Sequence, residues 1–89
     1  MQKHVRVYLT YYDIGEQDVI SCEYCSRSGR IDLGGFDIHH INGRGPGKDV
    51  IENLMLLCRE HHDMANTYKL SRKMLQEIHN KHLKNGNNI

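Results

Sequence analysis

The sequence contains no tryptophan, one phenylalanine and one proline, and only 38% of its 89 residues are hydrophobic. So few large apolar side chains limit the core, and chains of this size often need a metal or covalent staple to fold. There is also no apolar run long enough to cross a membrane, and no secretory signal pattern at the N-terminus. We therefore expect one small stapled domain, residues 1–89, that is cytoplasmic and does not contact a membrane.

Cysteine is scarce too, and its three copies are an odd number that does not fit a closed disulfide framework. Cys22 and Cys25 form a C-x-x-C pair, which suits thiolate metal ligands in a reducing compartment. Seven histidines accompany the cysteines. Together these side chains supply more metal ligands than a plain core requires.

The net charge of +1 is modest for a nucleic-acid binder, but the charges are unevenly distributed. In residues 67–89 a single acid, Glu77, stands against five basic residues: Lys69, Arg72, Lys73, Lys81 and Lys84. A basic tail beside a histidine-rich middle is compatible with binding a phosphate backbone. A solvated helix face explains the same charges equally well.

Hydrophobic periodicity predicts a mixed α and β domain. Residues 4–12 alternate, with Val5, Val7, Leu9 and Tyr11 on one side, which predicts a half-buried N-terminal strand. Residues 36–41 predict a second strand, which the turn residues of 42–47 follow. Next we expect a helix from near Ile51, then another after His61, with Leu54, Leu56 and Leu57 packing in the core.

The C-terminal segment predicts a further helix, from about residue 71 to 84. Its apolar stripe comprises Met74, Leu75, Ile78 and Leu83, and Gly86 follows as a stop signal.

Two ligand pairs of equal spacing predict a structural zinc site. Cys22-x-x-Cys25 and Cys58-x-x-His61 each place two residues between ligands, so that a tight turn can direct both side chains at one tetrahedral ion. In the alternative interpretations Cys58 is a buried apolar residue with His61 on the surface, or Cys22 and Cys25 are a redox dithiol.

Further histidines indicate a second, reactive metal site. His39 and His40 end the second predicted strand, and His62 and Asn66 are four residues apart, on one face of the helix predicted after His61. A helix face carrying two ligands, completed by a histidine from a strand, would make a three-ligand site with open positions. Metal-assisted hydrolysis needs such open positions.

The stretch from Phe36 to Asn66 contains D-I-H-H-I-N-G and E-N-L-x-x-L-C-x-x-H-H, and it resembles the HNH endonuclease family. With the Cys22 and Cys25 knuckle ahead of it, the resemblance extends over residues 20–66 and indicates the zinc-stapled branch. It implies a small ββα-metal (His-Me finger) α+β domain with a structural zinc knuckle and a C-terminal helix. It also implies metal-dependent hydrolysis of DNA phosphodiesters, leaving 5′-phosphate and 3′-hydroxyl ends.

The same resemblance assigns roles to residues. His40 would activate water, His39 and His62 would hold the catalytic divalent ion, and Asn53 would brace the loop that orients the base. Some family members have a further ligand at the position of Asn66, where many have histidine. An amide is a weaker ligand than imidazole, which favours Mg²⁺ or Mn²⁺ at the reactive site, with Ni²⁺ and Zn²⁺ as alternatives.

In a regular strand His39 and His40 point to opposite faces, so a shared site requires an irregular strand end. Plainer interpretations stay open for Asn53, as a helix N-cap, and for Asp37, as a loop-facing carboxylate rather than a ligand or ligand partner. His4, His79 and His82 are interpreted as ordinary surface or hydrogen-bonded histidines.

Double-stranded DNA is the expected partner, with low sequence specificity or targeting by another protein. The alternative function is a non-catalytic, zinc-stabilised DNA-binding module. Such a module would be expected to have lost His40 or His62, and both are present. The biological role is open, because the family includes phage DNA packaging, homing, restriction and toxin enzymes.

Overall fold

The computed structural model describes residues 2–15 and 17–86 of the chain. In chain order, its elements are helix α1 (Lys3–Tyr11), strands β1 (Ile20–Ser21) and β2 (Ser28–Gly29), a 3-10 turn (Ile31–Leu33), strand β3 (Phe36–His40), a second 3-10 turn (Ile51–Asn53), strand β4 (Leu54–Cys58), helix α2 (Arg59–Asn66) and helix α3 (Arg72–Gly86). The predicted α+β class is confirmed, with a ββα unit formed by β3, β4 and α2.

The predicted N-terminal strand is wrong, because this segment forms helix α1. Its buried residues are His4, Tyr8 and Leu9, whose spacing of four and one is that of a helix face. Tyr11, which the alternating pattern assigned to the buried side, is 39% exposed. The apolar residues fit both a period of two and a period of 3.6, and packing against the sheet selects the helix.

The helix predicted near Ile51 is also wrong. Residues Ile51–Asn53 form a single 3-10 turn, and the following leucine-rich run Leu54–Cys58 is strand β4. All five residues of β4 are buried, which is typical of a strand covered on both faces. The core positions predicted for Leu54, Leu56 and Leu57 are confirmed, whereas the element that carries them is a strand.

Strands β3 and β4 pair antiparallel and carry helices on both faces. The register sets Ile38 opposite Leu56 and His39 opposite Met55, so neighbouring residues along each strand face opposite layers. One layer contains α1, with Tyr8 and Leu9 in contact with the side of Leu54 and Leu56. The other layer contains α2 and α3 and is formed by eight residues: Cys22, Ile41, Met55, Leu57, Cys58, Ala65, Leu70 and Leu75.

Two glycines serve the hairpin region for different reasons. A Cβ atom at Gly29 would overlap the ring of Phe36, so the close approach of β2 to β3 requires glycine there. Gly43 follows β3 with φ of 86°, in the left-handed region that glycine adopts at least cost. Gly29 thus allows β2 to approach the start of β3, and Gly43 allows the chain to turn after its end.

Helix α2 begins at Arg59, two residues earlier than predicted, directly after Cys58. Helix α3 begins at Arg72 and extends to Gly86, so the predicted stop residue is the last residue of the helix. Ser71 caps α3 with its hydroxyl, which accepts a hydrogen bond from the backbone N–H of Met74 at 3.1 Å. Within residues 2–15 and 17–86, no helix has both the length and the apolar character that a membrane span requires.

Candidate metal centres and catalytic cleft

The turn between β1 and β2 forms a tight knuckle around Cys22 and Cys25. The backbone N–H of Ser26 donates to the carbonyl of Cys22 at 2.8 Å, and the N–H of Cys22 donates to the carbonyl of Arg27 at 2.9 Å. Ser26 has a positive φ of 66°, which closes the turn. The knuckle thus directs two thiols towards Cys58 at the end of β4.

The side chains of Cys22, Cys25, Cys58 and His61 converge, with all four ligand atoms within 4.8 Å of one another. The sulfurs of Cys25 and Cys58 are 3.8 Å apart, and Cys58 Sγ is 3.1 Å from His61 Nδ1. Two sulfurs of one tetrahedral zinc, each about 2.3 Å from the ion, lie about 3.8 Å apart. The three thiols and the imidazole therefore fit a structural zinc, as predicted from the spacing.

The chemistry of Cys22 also suits a thiolate ligand. Burial raises the pKa of its thiol, but hydrogen bonds from the backbones of Cys58, Cys25 and Tyr24 more than offset this, and the net pKa is lowered. None of the three cysteines forms a disulfide. A closed set of four ligands leaves this centre no position for substrate.

The second predicted metal site lies between β3 and α2. The rings of His39 and His62 face each other in an edge arrangement, with centroids 5.3 Å apart. Burial, followed by the charges of His62 and His40, lowers the pKa of His39 to about 4. His39 is consequently neutral at neutral pH, which is the form that binds metal.

Asp37 holds the orientation of His62. Its Oδ2 atom lies 3.1 Å from Nδ1 of His62 and 2.9 Å from Nε of Arg59. An Nδ1–H that donates to Asp37 leaves the lone pair of His62 on Nε2, free to bind an ion. The loop-facing interpretation of Asp37 is therefore wrong: its carboxylate lies on β3 and is a hydrogen-bond partner of a candidate ligand.

Asn66 lies one turn after His62 on α2, and its amide nitrogen is 3.4 Å from His62 Nε2. As a metal ligand it would have to present its amide oxygen instead, which requires the amide group to turn over. The donor set at this centre is therefore two imidazoles with one amide nearby. Such a set leaves several coordination positions open.

His40 lies on the opposite face of β3 from His39, next to α1. Its Nε2 atom is 2.7 Å from Oδ1 of Asp49, and its ring contacts that of His4 with centroids 4.7 Å apart. When Nε2–H donates to Asp49, the lone pair of His40 lies on Nδ1. The hydrogen bond from His40 lowers the pKa of Asp49, so the carboxylate is ionised at neutral pH.

Both strand histidines nevertheless border one cleft, of about 280 Å³. Its lining comprises Ile38, His39, His40, Gly43, Arg44, His62 and Asn66. The strand stays regular through His40, which pairs with Leu54. The irregular strand end that we expected is therefore absent, and both histidines line the cleft from the regular end of β3.

Asn53 holds the loop that leaves β3. Its buried amide accepts from the backbone N–H of Asn42 at 2.7 Å and donates to the carbonyls of Gly43 and Lys48 at 3.2 and 3.0 Å. The alternative as a helix N-cap is wrong, since strand β4 and not a helix follows Asn53. Its contacts fix the two ends of the loop that carries Arg44 and Asp49.

A buried ion pair beneath the zinc knuckle was not expected from the sequence. Nδ1 of His79 lies 2.7 Å from Oε1 of Glu23, and both side chains are fully buried. His79 also lies 2.6 Å from the carbonyl of Ile51, and Glu23 accepts from Tyr8 at 2.6 Å. No local pattern pairs residues 56 positions apart, so this contact becomes visible only in the folded chain.

The comparisons with known proteins bear on this arrangement. The family model of the HNH endonuclease matches residues 22–67, slightly more than half of the chain. The chain belongs to the HNH endonuclease family. Neither the curated proteins nor the solved structures that were compared give a match. The matched range contains both candidate metal centres and His40, and proteins of this family are nucleases that act on DNA with a divalent metal.

Proposed function

We propose that this HNH protein is a metal-dependent endonuclease that hydrolyses DNA phosphodiester bonds, leaving 5′-phosphate and 3′-hydroxyl ends. The observation that carries the proposal is the cleft at the end of β3, which brings together His39, His40 and His62. Two of these imidazoles face each other, and the third has a carboxylate partner. This combination provides a place for a cation beside a base.

His39 and His62 are the residues that would hold the catalytic ion, with Asn66 as a third ligand if its amide turns over. A bound divalent ion would stabilise the negative charge on the non-bridging oxygens and on the leaving alkoxide. Imidazole and amide donors are compatible with Mg²⁺, Mn²⁺, Ni²⁺ and Zn²⁺. The small number of ligands and the absence of a thiolate among them favour Mg²⁺ or Mn²⁺, which exchange readily.

His40 accepts the proton from the attacking water. The ionised carboxylate of Asp49 holds the imidazole by its Nε2–H and stabilises the imidazolium that forms, so Asp49 is a positioning residue. Asn53 positions the loop that carries Asp49, through its hydrogen bonds to Asn42, Gly43 and Lys48. Arg44, on the wall of the cleft, supplies positive charge for the phosphate.

A reducing compartment such as the cytoplasm suits the zinc centre, because its three cysteines must remain thiolates to bind. We place the protein there, acting on double-stranded DNA and directed to its target by a partner protein where specificity is required. The zinc centre lies outside the chemical step.

The decisive experiment is plasmid cleavage with Mg²⁺, Mn²⁺ and Ni²⁺ by the wild type and by His40→Ala. We expect wild-type cleavage and a decrease of about 10²–10⁴-fold in the variant, which is the usual contribution of a general base. The zinc of the cysteine centre and the circular dichroism should not change, since His40 is not a ligand of that centre.

His82→Ala, which alters an exposed histidine on α3, is the matched control and should cleave as the wild type does. His40→Ala activity within about tenfold of wild type would remove His40 from the role of base. A wild type that binds DNA and cleaves with none of the three ions would instead support the alternative function, a zinc-stabilised DNA-binding module.

A further inference from the structure

A third group of metal-ligand side chains lies on the α1 side of β3, apart from the two centres above. It consists of His4 from α1, His40 from β3 and Asp49 from the loop between β3 and β4. Their ligand atoms lie within 4.8 Å of one another, as do those of the four residues of the zinc centre. Of the three groups, this is the one that includes a residue of helix α1, namely His4.

The separations of these atoms are close to those around a single ion. His40 Nε2 and Asp49 Oδ1 are 2.7 Å apart, and the rings of His4 and His40 are 4.7 Å apart at their centroids. Nitrogen and oxygen ligands at about 2.0–2.2 Å from one ion lie roughly 3 Å from each other. His40 and Asp49 are already close to that separation, and the ligand atom of His4 lies within 4.8 Å of both.

Burial and access also suit a bound ion. His4 and His40 are each 7% exposed, so their positions are determined by the surrounding core. The Asp49 side chain is 31% exposed and lies on a loop, which leaves one side of the group open to solvent. An ion can therefore enter from the loop side and meet two imidazoles that the fold already holds.

We propose that His4, His40 and Asp49 form an inhibitory site for a transition-metal ion such as zinc, and that filling it withdraws His40 from proton transfer. The ion takes the place of the proton on Nε2 of His40, and the neutral ring then carries its single proton on Nδ1, which leaves no lone pair to accept a proton from water. The inhibitory effect rests on the proposed nuclease function, whereas binding to the site does not.

The ligand types give the site its selectivity. Two imidazoles with one carboxylate match the three-ligand zinc sites found in hydrolases. Affinity for such donors rises towards Ni²⁺, Cu²⁺ and Zn²⁺, whereas Mg²⁺ prefers oxygen ligands and retains its water. Micromolar zinc should consequently fill this site in the presence of millimolar Mg²⁺.

Binding is tested first in a protein whose reactive centre is disabled. His62→Ala should take up two zinc ions, one in the cysteine centre and one at His4, His40 and Asp49, measured by metal analysis and calorimetry. Adding His4→Phe, which keeps the ring contact with His40, should reduce uptake to one ion while circular dichroism is unchanged. Equal uptake by the single and double variants would overturn the site.

A second variant tests the site independently, in case the protein with His4→Phe does not fold. His62→Ala with Asp49→Asn changes only a partly exposed loop residue and should also bind one zinc. We expect the affinity of the second ion to fall by more than the roughly 10–100-fold that removal of an outer-shell partner costs. Unchanged affinity in this variant would likewise overturn the site.

Inhibition is tested with Mg²⁺-driven cleavage while zinc is titrated. The His4→Phe variant should need at least about tenfold more zinc than the wild type for half inhibition, with its activity without zinc preserved. Equal zinc sensitivity would show that zinc acts elsewhere and would overturn the inhibitory role. Because zinc uptake is measured in the His62→Ala background, an inactive wild type would contradict the nuclease function alone.

Discussion

At the scale of single residues, Asp37 sets the orientation of the His62 imidazole through a hydrogen bond. Its carboxylate contacts both His62 and Arg59, at 3.1 and 2.9 Å, so it is held in place while it orients the imidazole. A ligand histidine whose second nitrogen is hydrogen-bonded to a carboxylate is fixed in tautomer and is more basic. Asp37 is thus placed to orient His62, the ligand that we propose for the catalytic ion.

We expect Asp37→Asn to weaken binding of Mn²⁺ at the reactive centre by about 10–100-fold, without release of zinc from the cysteine centre. Calorimetric titration of the zinc-loaded protein measures this affinity. Asp32→Asn is a matched control, because Asp32 pairs with Arg30 on an exposed turn. Identical Mn²⁺ affinities in the two variants would show that Asp37 has no influence on His62.

At the scale of elements, the beginning of α3 is the part of the helix that approaches the cleft. Arg72 lines a cavity with His39 and His40, and its charge is one of the causes that lower the pKa of His39. Lys69 and Lys73 lie beside Arg72 and are exposed. DNA that enters the cleft would therefore meet this end of α3 with its phosphates.

Replacing Lys69, Arg72 and Lys73 with Gln should weaken DNA binding and flatten its salt dependence, by about one unit of slope for each phosphate that is no longer neutralised. The matched control replaces Lys81 and Lys84, at the far end of the same helix, and should retain more of the slope. The measurement is fluorescence anisotropy over a series of salt concentrations. If the triple variant keeps the wild-type slope, these charges only solvate the helix.

At the scale of the whole molecule, we expect the two metal centres to differ in how tightly they retain their ions. The cysteine centre would bind through three thiolates, of which those of Cys22 and Cys58 are buried, so its binding energy is coupled to folding, whereas the centre of His39 and His62 has few ligands. Mild EDTA should therefore stop cleavage while the fold and one zinc persist, and added Mg²⁺ or Mn²⁺ should restore activity.

Unlike EDTA treatment, Cys58→Ser should unfold the domain, and the loss of activity should follow from the unfolding. Circular dichroism and metal analysis on the EDTA-treated protein and on this variant distinguish the two effects. A Cys58→Ser protein that stays folded with a full zinc equivalent would contradict the structural role of the centre. The role of His40 would be unaffected by that result.

The buried pair of Glu23 and His79 connects the zinc knuckle to α3, and through Tyr8 to α1. Burial lowers the pKa of His79, but the hydrogen bond and charge of Glu23 raise it more, so the net pKa is raised. The folded state then binds the proton more tightly than the unfolded state. The stabilisation is fully present below the ordinary pKa of about 6.5 and is lost as pH rises through the folded-state pKa.

Urea unfolding of the zinc-loaded protein between about pH 6.5 and 9 tests this linkage. The free energy of unfolding of the wild type should fall with rising pH relative to His79→Gln, which has no titrating group at this position. His82→Gln, at an exposed histidine of the same helix, should keep the wild-type slope. Parallel curves for the wild type and His79→Gln would mean that the pair does not titrate in this range.

The sequence by itself determined the features that depend on residue type and spacing. Two ligand pairs, each with two residues between its ligands, specify the candidate zinc centre, and the C-terminal stripe from Met74 to Leu83 specifies a helix. The α+β class and the family were confirmed for the same reason. The roles of His39, His40, His62 and Asn53 are a prediction that the proposed experiments test.

Only the tertiary structure decided which of two competing patterns formed and which distant side chains meet. The apolar residues of 4–12 fit a strand or a helix, and contact with Leu54 and Leu56 on β4 selected helix α1. Leu54–Cys58 became a strand because it pairs with Phe36–His40, a contact that no local propensity specifies. The partnerships of Asp37 with His62 and of Asp49 with His40 follow from that pairing, since loop closure and strand register bring their atoms together.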